Sequence, residues 1–170
     1  FPVTISTATH LNGIGNLLSR TLTMIEKYFD KKIPKFHMAE LNAEQNEIQK
    51  ACQDAVVNIT KQFDEFRIAD SMNEISNLVS LADKHIANQK PWEIAKNNDE
   101  KSIAQLANVL AISVAVLRTV GYLGYSFFPE KMTDLLISIG EDTSKMSSSL
   151  NKVKDFTSIN SGFIFKERPK

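Results

Sequence analysis

Along most of this chain apolar residues return every third or fourth position, the period of one helix face, and no stretch alternates long enough to mark a strand. Ile14, Leu18, Leu22, Ile25 and Phe29 predict a first helix from about Leu11 to Asp30, which KKIP breaks at Pro34. Ile48, Cys52, Ala55, Ile59, Phe63 and Phe66 form the stripe of a second, from about Ala43 to Phe66. A third carries Ile68, Met72, Ile75, Val79, Ala82 and Ile86 on one face, and Asn88-Gln89 and Pro91 end it. PWEIAK follows as a helical turn with Pro91 first, a position where the missing N–H has no helical partner to lose. Asp99 is placed to cap a fourth long helix, Glu100 to about Tyr122, striped by Ile103, Leu106, Leu110, Val114 and Leu117. Pro129 opens a fifth, PEKMTDLLISI, closed by Gly140 in left-handed conformation. Beyond Glu141 the chain is polar and irregular until GFIFKERPK, which is expected to dock back as an extended segment. The expected fold is all-α: one domain over 1–170, a bundle of about five helices with an irregular C-terminal tail.

Composition narrows the function classes. The 170 residues carry 20 acidic and 20 basic side chains, so no bulk field draws the chain to nucleic acid or membrane. Any nucleic-acid binding must rest on a few local groups. A single cysteine, Cys52, allows no intrachain disulfide and fits a reducing, cytoplasmic setting. The longest apolar run, around Ile103 to Leu117, is broken by Gln105, Asn108 and Ser113 and reads as too short and too polar for a bilayer span. FPVTISTATH is neither a signal peptide nor a basic presequence, and its lack of an initiating Met leads us to expect a processed or excised piece of something longer.

Catalytic constellations are missing from the pattern. His10, His37 and His85 stand far apart, none in a Glu-x-x-His pair, and no Cys-x-x-Cys or His-Glu-x-x-His spacing offers a zinc site. No nucleophile elbow or phosphate-cradling loop occurs. Cys52 falls on the apolar stripe of the second helix and reads as a buried, inert thiol. Lys145-Met146-Ser147-Ser148-Ser149 resembles the KMSKS loop of class I aminoacyl-tRNA synthetases, and His85-Ile86-Ala87-Asn88 distantly resembles their HIGH motif. Those loops need a parallel nucleotide-binding sheet to present them, and none is readable, so this stretch is read as a solvated loop. We expect no catalytic residue and no metal.

Two polar features remain. Asn16 falls about 160° from the centre of the first helix's apolar stripe, with Arg20 and Lys27 within roughly 40° of it. An amide and a guanidinium one turn apart can read a base edge, or can simply be solvated. Gly13 and Gly15 would allow a backbone or ligand to approach closely. Trp92, the only tryptophan, lies about 200° from Ile94 in a helical turn, so at most one of them faces the core. With Lys90 and Glu93 beside Trp92 and Lys96 one turn on, Ile94 has the better claim to the inside. Trp92 is then a ring held by Pro91 next to lysines, a platform for an unpaired base; the competing reading is end-of-bundle packing.

At these residues the chain resembles a known family. LNGIGNLLSRT (11–21), followed by Lys27-Tyr28-Phe29-Asp30 and Ile33-Pro34, is similar to the opening of the anticodon-binding domain of methionyl-tRNA synthetases, usually close to LGNLLSR, YFDG and IP. ADKHIANQKPW (82–92) resembles that family's N-x-Y-I…KPW signature, with His85 or Asn88 at variant positions. Ile139-Gly140 and Ile164-Phe165-Lys166 resemble its closing elements. The resemblance implies that Trp92 stacks on the first base of the CAU anticodon of methionine tRNA, that Asn16 and Arg20 bond to base edges and that Pro91 shapes the pocket. Lys27, Lys90 and Lys96 are candidates for the RNA backbone. ATP and methionine would be used by a catalytic domain absent from this sequence, so this part should need no cofactor and catalyse nothing, its partners being methionine tRNA and that catalytic domain. Lys31 departs from the family by standing where a glycine is usual, which should alter only a turn. The alternatives are the equivalent domain of a sister synthetase, for cysteine, isoleucine or valine, and a helical protein-interaction domain.

Overall fold

A computed structural model describes residues 5–144, 146 and 153–166. In chain order they form α1 (Ile5–Phe29), a 3-10 turn (Met38–Glu40), α2 (Ala43–Asp64), α3 (Ile68–Gln89), the one-turn α4 (Pro91–Ile94), α5 (Glu100–Gly124) and α6 (Pro129–Ser138). The all-α bundle of five long helices is as expected. Of the Lys145–Ser149 stretch, only Met146 lies within the described residues.

Helix ends follow local chemistry. At the start of α2 the Asn42 side chain accepts from the Gln45 backbone N–H (2.9 Å) while Gln45 Oε1 accepts from the Asn42 N–H (3.0 Å), a reciprocal capping box. Asp99 caps α5 through the Ser102 N–H (2.9 Å) as anticipated. Gly140 ends α6 at φ 85°, and a Cβ there would stand 2.5 Å from the Phe163 ring, so glycine is required by both backbone and space. α1 starts earlier than the predicted Leu11, since residues 5–10 contain no glycine or proline to break it, and at position 10 it is held from the side: His10 Nδ1 contacts Ser76 Oγ of α3.

Two expectations about packing need correction. Phe63 and Phe66 were placed on the buried stripe of α2, yet the helix stops at Asp64 and both are exposed, Phe66 by 88% in a left-handed turn at φ 58°. Ile68 and Ile103, the first stripe residues of α3 and α5, also stand outside, since helix termini overrun the core. The central apolar run is longer than it looked. α5 extends to Gly124 and is long and apolar enough, by length and mean hydropathy (1.7), to pass for a membrane span. Here α1, α2, α3, α4 and α6 all pack on it, and it is buried on every side from Leu106 to Gly124.

The tail docks as an extended segment. Ile33 N donates to Phe163 O (2.9 Å), Gly162 N to Ile33 O (2.8 Å) and Phe165 N to Lys31 O (3.1 Å). This fixes the turn after α1, where Asp30 and Lys31 adopt φ 52° and 65°. The departure at position 31 thus falls where an L-residue carries a steric cost and glycine does not. Lys31→Gly should raise stability by about 0.5–1 kcal/mol, lifting Tm by a few degrees in a thermal melt. An unchanged or lower Tm would mean that the Lys31 side chain, whose Nζ lies 3.9 Å from Glu26, outweighs the backbone cost.

Candidate nucleic-acid interface

The tryptophan turn is built by a change of backbone direction. α3 ends when Lys90 adopts φ 49°, its N–H still bonded to Ile86 O (3.0 Å), and Pro91 begins α4. Pro91 is buried and Ile94 half-buried, whereas Trp92 is 43% exposed, so the ring is outside, as its competition with Ile94 predicted. A set of side chains that sequence reasoning missed ties down the preceding turn. Glu44, at the start of α2, accepts from Asn88 Nδ2 (2.8 Å) and Gln89 Nε2 (3.2 Å), and Asn42 Nδ2 donates to Gln89 Oε1 (3.3 Å). His85 lies fully buried beneath them, 3.3 Å from Gln45 Nε2. Burial pushes its imidazole down to about 4, against the pull of the Glu44 carboxylate 3.9 Å away.

The α1 patch is the wall of an open cleft against α3. Asn16, Ser19, Arg20 and Asp83 line a space of about 540 Å3. Arg20 Nη1 lies 3.5 Å from Asp83 Oδ1. Partial burial raises the Asp83 carboxyl above its usual range, and Arg20 opposes that shift. Neither glycine is needed for a close approach within the bundle: a Cβ on Gly13 would make ordinary contact with Val79 (3.9 Å), and one on Gly15 would meet open space. Asp83 lies six residues before Gln89, the last residue of α3, so roughly 9 Å of helix axis separates the cleft from the turn that leads to Trp92.

The three lysines differ. Lys27 and Lys90 are exposed, with Lys27 Nζ 5.6 Å from the Tyr28 ring centre. Lys96 Nζ is engaged by the Glu93 carboxylate at 3.1 and 3.0 Å, a solvent-exposed pair that a phosphate could displace at small cost. Cys52 is sealed in the core, and burial pushes its thiol up to about 12, beyond thiolate chemistry at neutral pH.

Comparison with known proteins then decides the relationship. No protein-family model matches the chain. The methionine–tRNA ligase of Caldanaerobacter subterraneus subsp. tengcongensis is 35% identical over 162 residues, 90% of this chain. Its homologues are methionine–tRNA ligases. The ligase of Oceanobacillus iheyensis is 32% identical over 136 residues, 77% of this chain. The chain spans only 24% and 19% of these two relatives, so it corresponds to one region of such a ligase. A solved methionyl-tRNA synthetase from Mycobacterium tuberculosis, in complex with methionyl-adenylate, has the same fold over 98% of this chain and 31% of its own, with a TM-score of 0.85 at 20% identity.

Buried His85 gives this ligase homologue a pH-dependent stability. The unfolded chain takes up a proton near the ordinary value of 6.5 that the folded one refuses until about 4. Stability is therefore intact above pH 6.5 and falls as pH drops toward 4. Urea midpoints at pH 7 and pH 5 should show a loss about 2 kcal/mol larger in the wild type than in His85→Gln. An equal pH response in the two would rule His85 out as its source.

Proposed function

We propose that this chain is the anticodon-binding module of a methionine–tRNA ligase, and that it stacks and reads the CAU anticodon of methionine tRNA. The observation that carries this reading is the exposed Trp92, set on a buried proline and a pinned helix end. A ring held partly outside on a rigid backbone can stack against a flat face, and unpaired anticodon bases supply flat faces of the right size. The homology to methionine–tRNA ligases over most of the chain supports the same assignment.

In this mechanism the loop bases are splayed, and the first, a cytosine, stacks on Trp92 in the pocket shaped by Pro91. Asn16 and Arg20 bond to base edges in the neighbouring cleft. Lys27, Lys90 and Lys96 neutralise phosphates nearby, which an electroneutral chain can do only locally. The module needs no cofactor. ATP and methionine are used by the catalytic part of the ligase, which joins methionine to tRNA at the expense of ATP in the cytoplasm, and this module supplies the selection of which tRNA is charged.

An anticodon stem-loop carrying CAU should quench Trp92 fluorescence at low salt, and replacing its cytosine should weaken the effect. Trp92→Ala should lower affinity roughly ten- to a hundredfold, the scale of one base–aromatic stack. No quenching at saturating RNA would dispose of the stacking role. Separately, Arg20→Ala should reduce discrimination between anticodons, whereas Lys27→Ala should weaken all loops about equally. Uniform losses from both would show that Arg20 reads phosphate and not bases.

A further inference from the structure

Lys90 joins α3 to α4 in a conformation that its own chemistry resists. It is a non-glycine residue in the left-handed region, at φ 49° and ψ 66°, and a proline follows it. Residues before proline favour extended backbone, and an L side chain is strained at positive φ. Such a junction persists only where the surrounding structure holds it. On its far side α4 supplies two bonds to the Lys90 carbonyl, from the Glu93 N–H (2.9 Å) and the Ile94 N–H (3.3 Å). On its near side Asn88 and Gln89 are both held by side chains that come from the start of α2.

The capping box of α2 has donors left over, and they point at α3. Asn42 Oδ1 and Gln45 Oε1 close the box, which frees the Asn42 amide to donate to Gln89 Oε1 (3.3 Å). The Gln45 amide lies 3.3 Å from His85 Nε2, one turn earlier on α3. Between these two residues, Glu44 accepts from Asn88 with one carboxylate oxygen (2.8 Å) and from Gln89 with the other (3.2 Å). Its bond to Asn88 has the length of a charge-assisted contact. The first turn of α2 also suits a carboxylate, since the N-terminal end of the helix dipole is positive.

We infer that Glu44 is a positioning residue for the proposed RNA contact: it holds the Asn88–Gln89 end of α3, and with it the Lys90–Pro91 junction that sets the direction of the Trp92 ring. The inference rests on the anticodon reading above. Trp92 lies three residues past Gln89, and the backbone between them turns chiefly at Lys90, because Pro91 locks its own φ. Released at Gln89, the junction relaxes toward the extended backbone that Lys90 prefers, and the ring loses its fixed place. A ring that must be ordered on binding costs affinity that a ring already in place does not. Charge gives the role a distinctive sign. Removing an anion beside an RNA-binding turn should by itself tighten binding to phosphate-rich RNA. Because Glu44 positions the ring, its removal weakens binding instead.

The test uses the 170-residue chain, whose single tryptophan reports on the ring directly. Glu44→Ala and, from the other side of the contact, Gln89→Ala are compared with wild type and with Glu47→Ala, which removes an exposed carboxylate near the same end of α2. Helicity is checked by circular dichroism, and Gln89→Ala carries the test if Glu44→Ala loses it. In the free protein both clamp variants should lower the time-resolved anisotropy of Trp92 and raise its quenching by acrylamide, while Glu47→Ala matches wild type. Both should weaken binding of a CAU stem-loop about three- to tenfold, the ordering cost of one side chain, whereas Glu47→Ala should bind as well as wild type or better. In a Trp92→Ala background Glu44→Ala should no longer weaken binding, because a residue that acts through the ring has nothing left to act on. Losses that persist in full without the ring, or a ring equally rigid in wild type and both clamp variants, overturn the role of Glu44. Trp92→Ala binding the CAU loop as tightly as wild type overturns the stacking reading instead, and the anisotropy of the free protein then still decides whether Glu44 holds the turn.

Discussion

The bundle is organised around a helix that has no outside. From Leu106 to Gly124 every side chain of α5 is buried, so each remaining helix must cover part of its circumference. Polar groups on α5 are kept only where they are matched. Asn108 accepts from the His37 N–H (2.8 Å) and donates to its carbonyl (3.0 Å), pinning the loop before α2. Arg118 donates to Glu141 (2.7 Å), to the Asp155 carbonyl (3.1 Å) and to Ser158 (3.0 Å), and Tyr122 donates to the same Glu141 oxygen (2.7 Å). Removing either partner of that buried ion pair would strand a charge at a cost of about 3–5 kcal/mol, so Glu141, Asp155 and Ser158 are tied to the central helix.

That arrangement produces the candidate interface as a by-product of packing. Wrapping α5 brings α1 and α3 against each other, and their outer edges carry Arg20 and Asp83 into one cleft. The start of α2 meets the end of α3, and Glu44 fastens Asn88 and Gln89 just before the Trp92 turn. Both candidate recognition elements rest on helices or on a pinned helix terminus, which limits how far their side chains can wander before a ligand arrives.

Features set by local chemistry were legible in the sequence. The start of α2, the Asp99 cap, the proline at the head of α4 and the glycine after α6 all fell where residue type places them. Exposure of Trp92 was legible too, because Ile94 competed for the same inward position. What escaped was set by neighbours distant in sequence. A 3.6-residue period marks the face that faces inward but is silent when all faces do, so the full burial of α5 was missed. Phe66 fits the α2 stripe by spacing, yet the left-handed turn it occupies ends the helix two residues earlier. Asp83 meets Arg20, and Glu44 meets Gln89, only because particular helices touch. A chain read in isolation shows no such pairing.

The extended pairing of the tail with the loop after α1 bears on how the chain is made. Residues 31–33 find their partners at 162–165, about 130 positions later. At synthesis rates of about 5–20 residues per second, the end of α1 waits roughly 7–25 s for the segment that completes its turn. During that interval the Lys31 carbonyl lacks the Phe165 N–H that, in the finished fold, helps hold this residue in a conformation it disfavours. Helices α1 to α3 can meet on the ribosome as soon as they emerge, but the pairing with residues 162–165 comes late, and a nascent chain halted before it would carry the candidate interface on a bundle left unlatched.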